Sequence, residues 1–233
     1  MIRLFSSIFP DFKKKVFCVG ANKTGTTSIK RIFEKFGYKV APQAEQEIKL
    51  NGFGKLNDQK NISFVKKYNF FQDQPFSVGE NYVKFDTLFP DNLFILTIRD
   101  SEKWFRSLCQ FHLNILNQIG FNLQSIKDVK EKHVKEFSYL YKGYQYENIL
   151  FYWISEVDEN KTKQNWDLLY NKDHYINIFE NRNKQIIKYF QKRENQLLVI
   201  DLSKQNNDNR KIQRFLNINS NYTEIPHLQK THY

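Results

Sequence analysis

KVFCVGANKTGTTSIKRIFEKFG, residues 15–37, is the stretch whose reading decides the fold. Val16 to Val19 form a short apolar run that Gly20 ends. Ile29, Ile32, Phe33 and Phe36 then recur at helical spacing, and Gly37 closes the segment. The pattern predicts a buried strand, a tight loop and an amphipathic helix. Such a loop gathers backbone N–H groups at a helix N-terminus, where the helix dipole adds positive potential. That is a place suited to a phosphate. The same residues also suit an ordinary strand-loop-helix turn with a solvated lysine.

Working outward, the next signals are further strands. Leu93 to Ile98 is the strongest apolar run in the chain and reads as a central parallel strand ending in Arg99-Asp100. A helix follows, with Asp100 or Ser101 as its N-cap. Phe70-Phe71-Gln72 reads as a strand edge that places Asp73 at a strand C-terminus, and Pro75 stops the pairing. Leu197 to Ile200 is another buried strand, with Asp201 after it. Tyr38 to Ala41 reads as one more short strand. Residues 43–60 are polar, broken by Gly52 and Gly54, and read as a surface segment, part helix and part loop. Residues 121–190 read as helical and aromatic, with no clear strand. Strands alternating with helices predict an α/β three-layer sandwich: a central parallel sheet between helices, with a helical cap or insertion. We expect a single domain over residues 1–233, in which 121–190 is that cap or a set of flanking helices.

Composition narrows the function classes. The 233 residues carry 36 Lys and Arg against 25 Asp and Glu, a formal charge of +11. A basic surplus suits an anionic partner, and no nucleic-acid-binding motif accompanies it. The two cysteines, Cys18 and Cys109, lack metal-ligand spacing and read as buried thiols, which points to a reducing cytoplasm. No apolar run approaches eighteen residues, so no transmembrane segment is expected. The apolar opening, MIRLFSSIFPDFKKK, is too short and broken for a signal peptide, though it suits peripheral contact with a membrane.

The loop departs from the nucleotide-hydrolysing pattern G-x-x-x-x-G-K-[ST]. Gly20 and Gly25 keep the spacing, but Thr26 follows Gly25 and the lysine, Lys23, comes two residues earlier. This Lys-Thr-Gly-Thr-Thr order resembles the 5′-phosphosulfate loop of sulfotransferases that use 3′-phosphoadenosine 5′-phosphosulfate. FPDNLFILTIRDSEKWFRSL, residues 89–108, is similar to that family's second signature. There an arginine at a strand end and a serine eight residues on hold the donor's 3′-phosphate. Here the pair is Arg99 and Ser107. The resemblance implies the P-loop-like fold, the transferase activity, and donor contacts from Lys23, Thr24, Gly25, Thr26, Thr27, Arg99 and Ser107.

Weaker matches extend it. Phe71 to Pro75 stands where cytosolic members carry Lys-Thr-His-Leu-Pro with a histidine base. Bacterial-type relatives have an aspartate there, which makes Asp73 the candidate general base beside Lys23. The closing LLVIDLSKQ segment implies nucleotide contacts from Lys204 and Arg210. Phe179 to Asn183 stands where bacterial-type relatives have Tyr-x-x-His-Asn, with Arg182 replacing the histidine. The reading is sulfuryl transfer to a hydroxyl or amine, with a carbohydrate or lipid as the suggested acceptor and no metal required. The alternatives are a P-loop kinase or NTPase, in which Asp201 holds magnesium, and a non-catalytic basic module that binds a polyanion.

Overall fold

The computed structural model describes residues 14–50, 59–137, 146, 152–158 and 161–226. The apolar opening, Gly52, Gly54, Tyr139, Tyr141, Tyr144, Phe151 and the tail from His227 lie outside them. The chain divides into two compact units. One joins Met1–Arg99 to Asn183–Tyr233, and the other is Asp100–Arg182.

The first unit holds a four-stranded sheet. Its strands are β1 (Val16–Cys18), β2 (Phe70–Phe71), β3 (Leu93–Thr97) and β6 (Leu197–Ile200), in the spatial order β2-β1-β3-β6. All pairs are parallel, with Val16 opposite both Phe70 and Leu93, and Ile95 opposite Leu198. The expected strand at Tyr38 to Ala41 reduces to one bridge, Val40 to Phe70. The chain order reverses between β1 and β3. Ligand sites in open α/β sheets lie outside strand C-termini at such a reversal.

Alternation along the strands covers both faces, as the apolar runs require. Val16, Cys18, Phe70, Ile95, Leu198 and Ile200 face one core. There they meet helix α1 (Thr26–Lys35) through Ile29, Ile32 and Phe33, and helix α8 (Arg210–Leu216) through Ile212 and Leu216. Phe17, Val19, Phe71, Phe94 and Leu96 face the other, against Phe64 and Val65 of α3 (Gln59–Lys66) and Tyr82 and Phe85 of α4 (Asn81–Leu88). The Phe17 ring lies within 5.2–6.1 Å of five other phenylalanine rings. Two apolar faces covered by helices make the three layers.

Residues 43–50 are the helical part of the segment read as part helix and part loop, but they are less exposed than their polarity predicts. They form helix α2 (Gln43–Leu50), and Gln46, Glu47 and Leu50 are buried. Their side-chain amides and carboxylates can be buried because they find hydrogen-bond partners there, such as Gln43 to Glu47 at 2.8 Å.

The second unit opens with α5 (Ser101–Gln118). Asp100 caps it by accepting from the Lys103 N–H at 2.9 Å. Short α6 (Glu131–Lys135) follows, and α7 (Lys172–Phe190) starts in this unit. Trp104 of α5 stacks on Phe179 of α7 at 4.2 Å, and Trp153 stacks on Tyr175 at 4.4 Å. Between the helices lies an antiparallel pair that the sequence does not announce, β4 (Ser155–Asp158) and β5 (Lys161–Gln164). This corrects the expectation of a strand-free region. The two segments carry charges where a buried strand carries aliphatics, and Glu156 stands opposite Lys163, an opposite-charge cross-strand pair. Pairing of that kind leaves no hydrophobic signature.

Candidate functional site

The loop after β1 is shaped by two close approaches. A Cβ added at Gly20 would stand 1.9 Å from Thr97 Oγ1 and under 3 Å from the Thr97 backbone, so only glycine lets the loop pass β3 there. Gly25 has φ +101°, and a Cβ on it would meet Leu202 at 2.7 Å. The turn after β6 therefore closes directly on the loop. Thr24 fastens the loop from within. Its hydroxyl bonds Ala21 O and Thr97 Oγ1, each at 2.5 Å, and its N–H reaches Ala21 O at 3.3 Å. The Thr24 side chain is thus engaged in holding the loop's shape.

Helix α1 starts immediately after Gly25, and that start is bare. Gly25 is the N-cap without a side chain to offer, and the first turn contains no acid. The N–H groups of Thr26 and Thr27 have no intrahelical partner by the geometry of any helix start. Unsatisfied donors and a first turn without an acid of its own make this start attractive to an anion.

Three ionisable side chains of the first unit converge on it. Arg99, just past the end of β3, donates from Nη1 to the Lys23 carbonyl at 2.9 Å. Lys23 itself is in the left-handed region, φ 68°. Burial holds its ammonium below the usual lysine range; Asp73 counters that effect and Arg99 adds to it. Asp73 follows β2, is 6% exposed, and accepts from Thr26 Oγ1 at 3.2 Å. Burial pushes its carboxyl up to about 6, against the opposing pull of Thr26, Lys23, Gln72 and Lys30. A partly desolvated cation, a carboxyl poised near neutrality and a helix start without a side-chain cap are thus gathered within one loop system. Perturbed groups gathered in this way mark a site that handles charge.

The other expected residues are placed differently. Lys204 and Arg210 are exposed and form ion pairs with Asp201 at 3.5 Å and Asp208 at 3.0 Å. Lys204 lies two residues beyond the Leu202 that touches the loop. Ser107 is a buried residue of α5 in the second unit. Asp201, the magnesium ligand of the kinase alternative, caps its own turn. It accepts from the Ser203 N–H at 3.0 Å and from Ser203 Oγ at 2.6 Å. Among the described residues no three His, Cys, Asp or Glu gather as they would around a metal ion.

Sequence reasoning misses two parts of this site. Thr97 pins the loop, and its signal was available as the one hydroxyl inside the apolar run of β3. Gln46 has no such signal. It sits in a polar stretch, yet is buried and bonded to the chain on both sides of Asp73.

A family model described as the sulfotransferase domain matches residues 15–232. No curated protein matches the chain.

Proposed function

The chain belongs to the sulfotransferase domain family, and from that premise we propose that it moves a sulfuryl group from 3′-phosphoadenosine 5′-phosphosulfate to an acceptor hydroxyl or amine. The observation that carries this reading is the convergence of Lys23, Asp73 and Arg99 on the loop ahead of α1. A desolvated lysine, a raised carboxyl and a bare helix start suit one anionic donor and one proton to be taken.

Each residue has a role in that reaction. The N–H groups at Gly25, Thr26 and Thr27 hold the donor's 5′-phosphate. The Lys23 ammonium neutralises charge that develops on the bridging oxygen as the S–O bond to that phosphate breaks. Arg99 presents a planar fork to the 3′-phosphate. Ser107 is assigned to the same phosphate on its sequence spacing, and Lys204 and Arg210 are assigned to the nucleotide from the closing segment. The Asp73 carboxylate accepts the acceptor's proton as its oxygen or nitrogen bonds to sulfur. The products are adenosine 3′,5′-bisphosphate, the sulfated acceptor and a proton that Asp73 passes to water. Most of the acceleration then comes from positioning and charge stabilisation, with no metal ion among the parts.

The acceptor belongs in this reading to the carbohydrates or lipids. Cys18 and Cys109, both buried and neither in a disulfide, support a cytoplasmic setting, peripheral membrane contact included; burial pushes the Cys109 thiol up to about 12, which leaves it unreactive. Among the described residues no helix is long and apolar enough to cross a membrane.

The test is transfer of labelled sulfate from the donor to a panel of sugars and lipids, with EDTA present. Label in an acceptor with matching release of adenosine 3′,5′-bisphosphate is the expected result. No transfer, together with magnesium-dependent hydrolysis of ATP, would assign the loop to the kinase or NTPase class instead.

A further inference from the structure

Asp73 sits in an unusual piece of backbone. Its φ is 60°, in the left-handed region, and the peptide between Gln74 and Pro75 is cis. Aspartate tolerates the left-handed region better than most residues, but a single residue there sets the direction of everything attached to it. Something must hold the chain on both sides if the carboxylate is to point one way.

The holder is on α2. Gln46 is 1% exposed, and its side-chain nitrogen donates to Gln72 O at 2.6 Å and to Gln74 O at 2.7 Å. These carbonyls flank Asp73 directly. Both partners are acceptors, so the nitrogen and not the oxygen of the amide must face them. Both N–H bonds of one amide are therefore spent on the two sides of one residue. A second residue of the same helix braces the strand end, since Gln72 Nε2 donates to Gln43 Oε1 at 3.1 Å. Farther along, Ser77 N–H bonds Asp73 O at 3.0 Å, and Asn81 Nδ2 bonds Pro75 O at 2.8 Å and Val78 O at 3.0 Å. The bonds that Gln46 and Gln43 make to this turn are those of uncharged amides, and Gln43 is itself held by buried Glu47 of the same helix, which accepts from its Nε2 at 2.8 Å. The charged groups that act on Asp73 come from elsewhere, Lys23 on the loop and Lys30 on α1.

We propose that Gln46 is a positioning residue of the transfer reaction: its two bonds to Gln72 and Gln74 set the direction and the seclusion of the Asp73 carboxylate. The inference rests on the reading of Asp73 as the base. It goes beyond that reading by placing a determinant of base geometry on a helix that touches neither donor loop nor strand tip in sequence.

The test is Gln46→Met, which keeps the bulk and removes both donors, measured beside Asp73→Asn and the double variant. Gln46→Met is expected to lower kcat about tenfold to a hundredfold, since small displacements of a reacting group cost that much. Its KM for the donor should stay unchanged. Its pH profile should also move. Burial holds the Asp73 carboxyl high, so a loosened turn that admits water lowers it, and the acid limb of kcat shifts to lower pH. A residue that served stability alone would lower the unfolding temperature and leave the limb in place. In the Asp73→Asn background the Gln46 change should cost nothing further, because it acts only through the carboxylate. Wild-type kcat in Gln46→Met, or an equal loss in both backgrounds, overturns the inference. Full activity in Asp73→Asn alone overturns instead the reading of the base. Should the methionine variant fail to fold, Gln46→Asn withdraws the same amide by one methylene. It is expected to show a smaller loss with the same displacement of the acid limb, and an unmoved limb would overturn the inference equally.

Discussion

Lys23→Ala protein is expected to transfer sulfate about 100- to 1,000-fold more slowly than wild type, with its fold intact. The magnitude is that of removing one preorganised donor from a transition-state charge. Three features of the structure make the prediction sharp. Arg99 bonds the Lys23 carbonyl and not its side chain, so truncation leaves that contact standing. Thr24, not Lys23, ties the loop to Thr97. The ammonium itself is held in a desolvated place that disfavours its charge, so its loss relieves the fold of a cost. Activity should therefore fall while the unfolding temperature does not. Lys23→Arg is not a rescue, because a planar fork does not replace a compact ammonium at a single bridging oxygen. Full activity in the alanine variant would remove Lys23 from the chemistry.

Asp73→Asn should cost about 100- to 10,000-fold in kcat, the range for loss of a general base. Asparagine is the appropriate substitute, for it accepts the left-handed backbone at φ 60° and can still receive the Thr26 hydroxyl. The pH dependence follows from the carboxyl's place. Burial raises it from 3.8 to about 6, so the wild-type rate should climb with pH through about 6 and level above it. Stability runs the other way. The folded chain binds this proton more tightly than the unfolded chain does. The stabilisation it contributes is full below the unfolded value of 3.8 and is lost as pH rises through about 6. Above pH 7 the asparagine variant should thus be the more stable protein, by up to roughly 3 kcal/mol for a shift of that size. A thermal unfolding series from pH 5 to 8 reads this directly. A variant that is both inactive and less stable at pH 8 would show the loss to be structural.

The parts of this protein legible in its sequence are those whose physics is local. An apolar run followed by glycine, a loop and a 3.6-residue periodicity gave β1, the loop and α1, because each signal acts within a few residues. The run at residues 93–97 likewise marked β3, and its cationic end placed Arg99 beside the loop. The illegible parts depend on partners far along the chain. Gln46 is buried because carbonyls 26 and 28 residues away need donors, and nothing near it in sequence records that need. The β4–β5 pair sets residues of opposite charge across from one another, and such residues read as solvated surface when either segment is taken alone. Thr97 lies between the two cases. A hydroxyl in an apolar strand is visible, but its partner Thr24 is 73 residues away.

One measurement bears most directly on the claim that the loop and Arg99 grip an adenine nucleotide by its phosphates. It is a calorimetric titration of wild-type and Arg99→Ala protein with adenosine 3′,5′-bisphosphate, in EDTA. The account predicts saturable binding to wild type without any divalent metal, weakened at least about tenfold by loss of the guanidinium, as expected for a charge-assisted phosphate contact. Absence of binding to the wild-type chain, or affinity indifferent to Arg99, would contradict it.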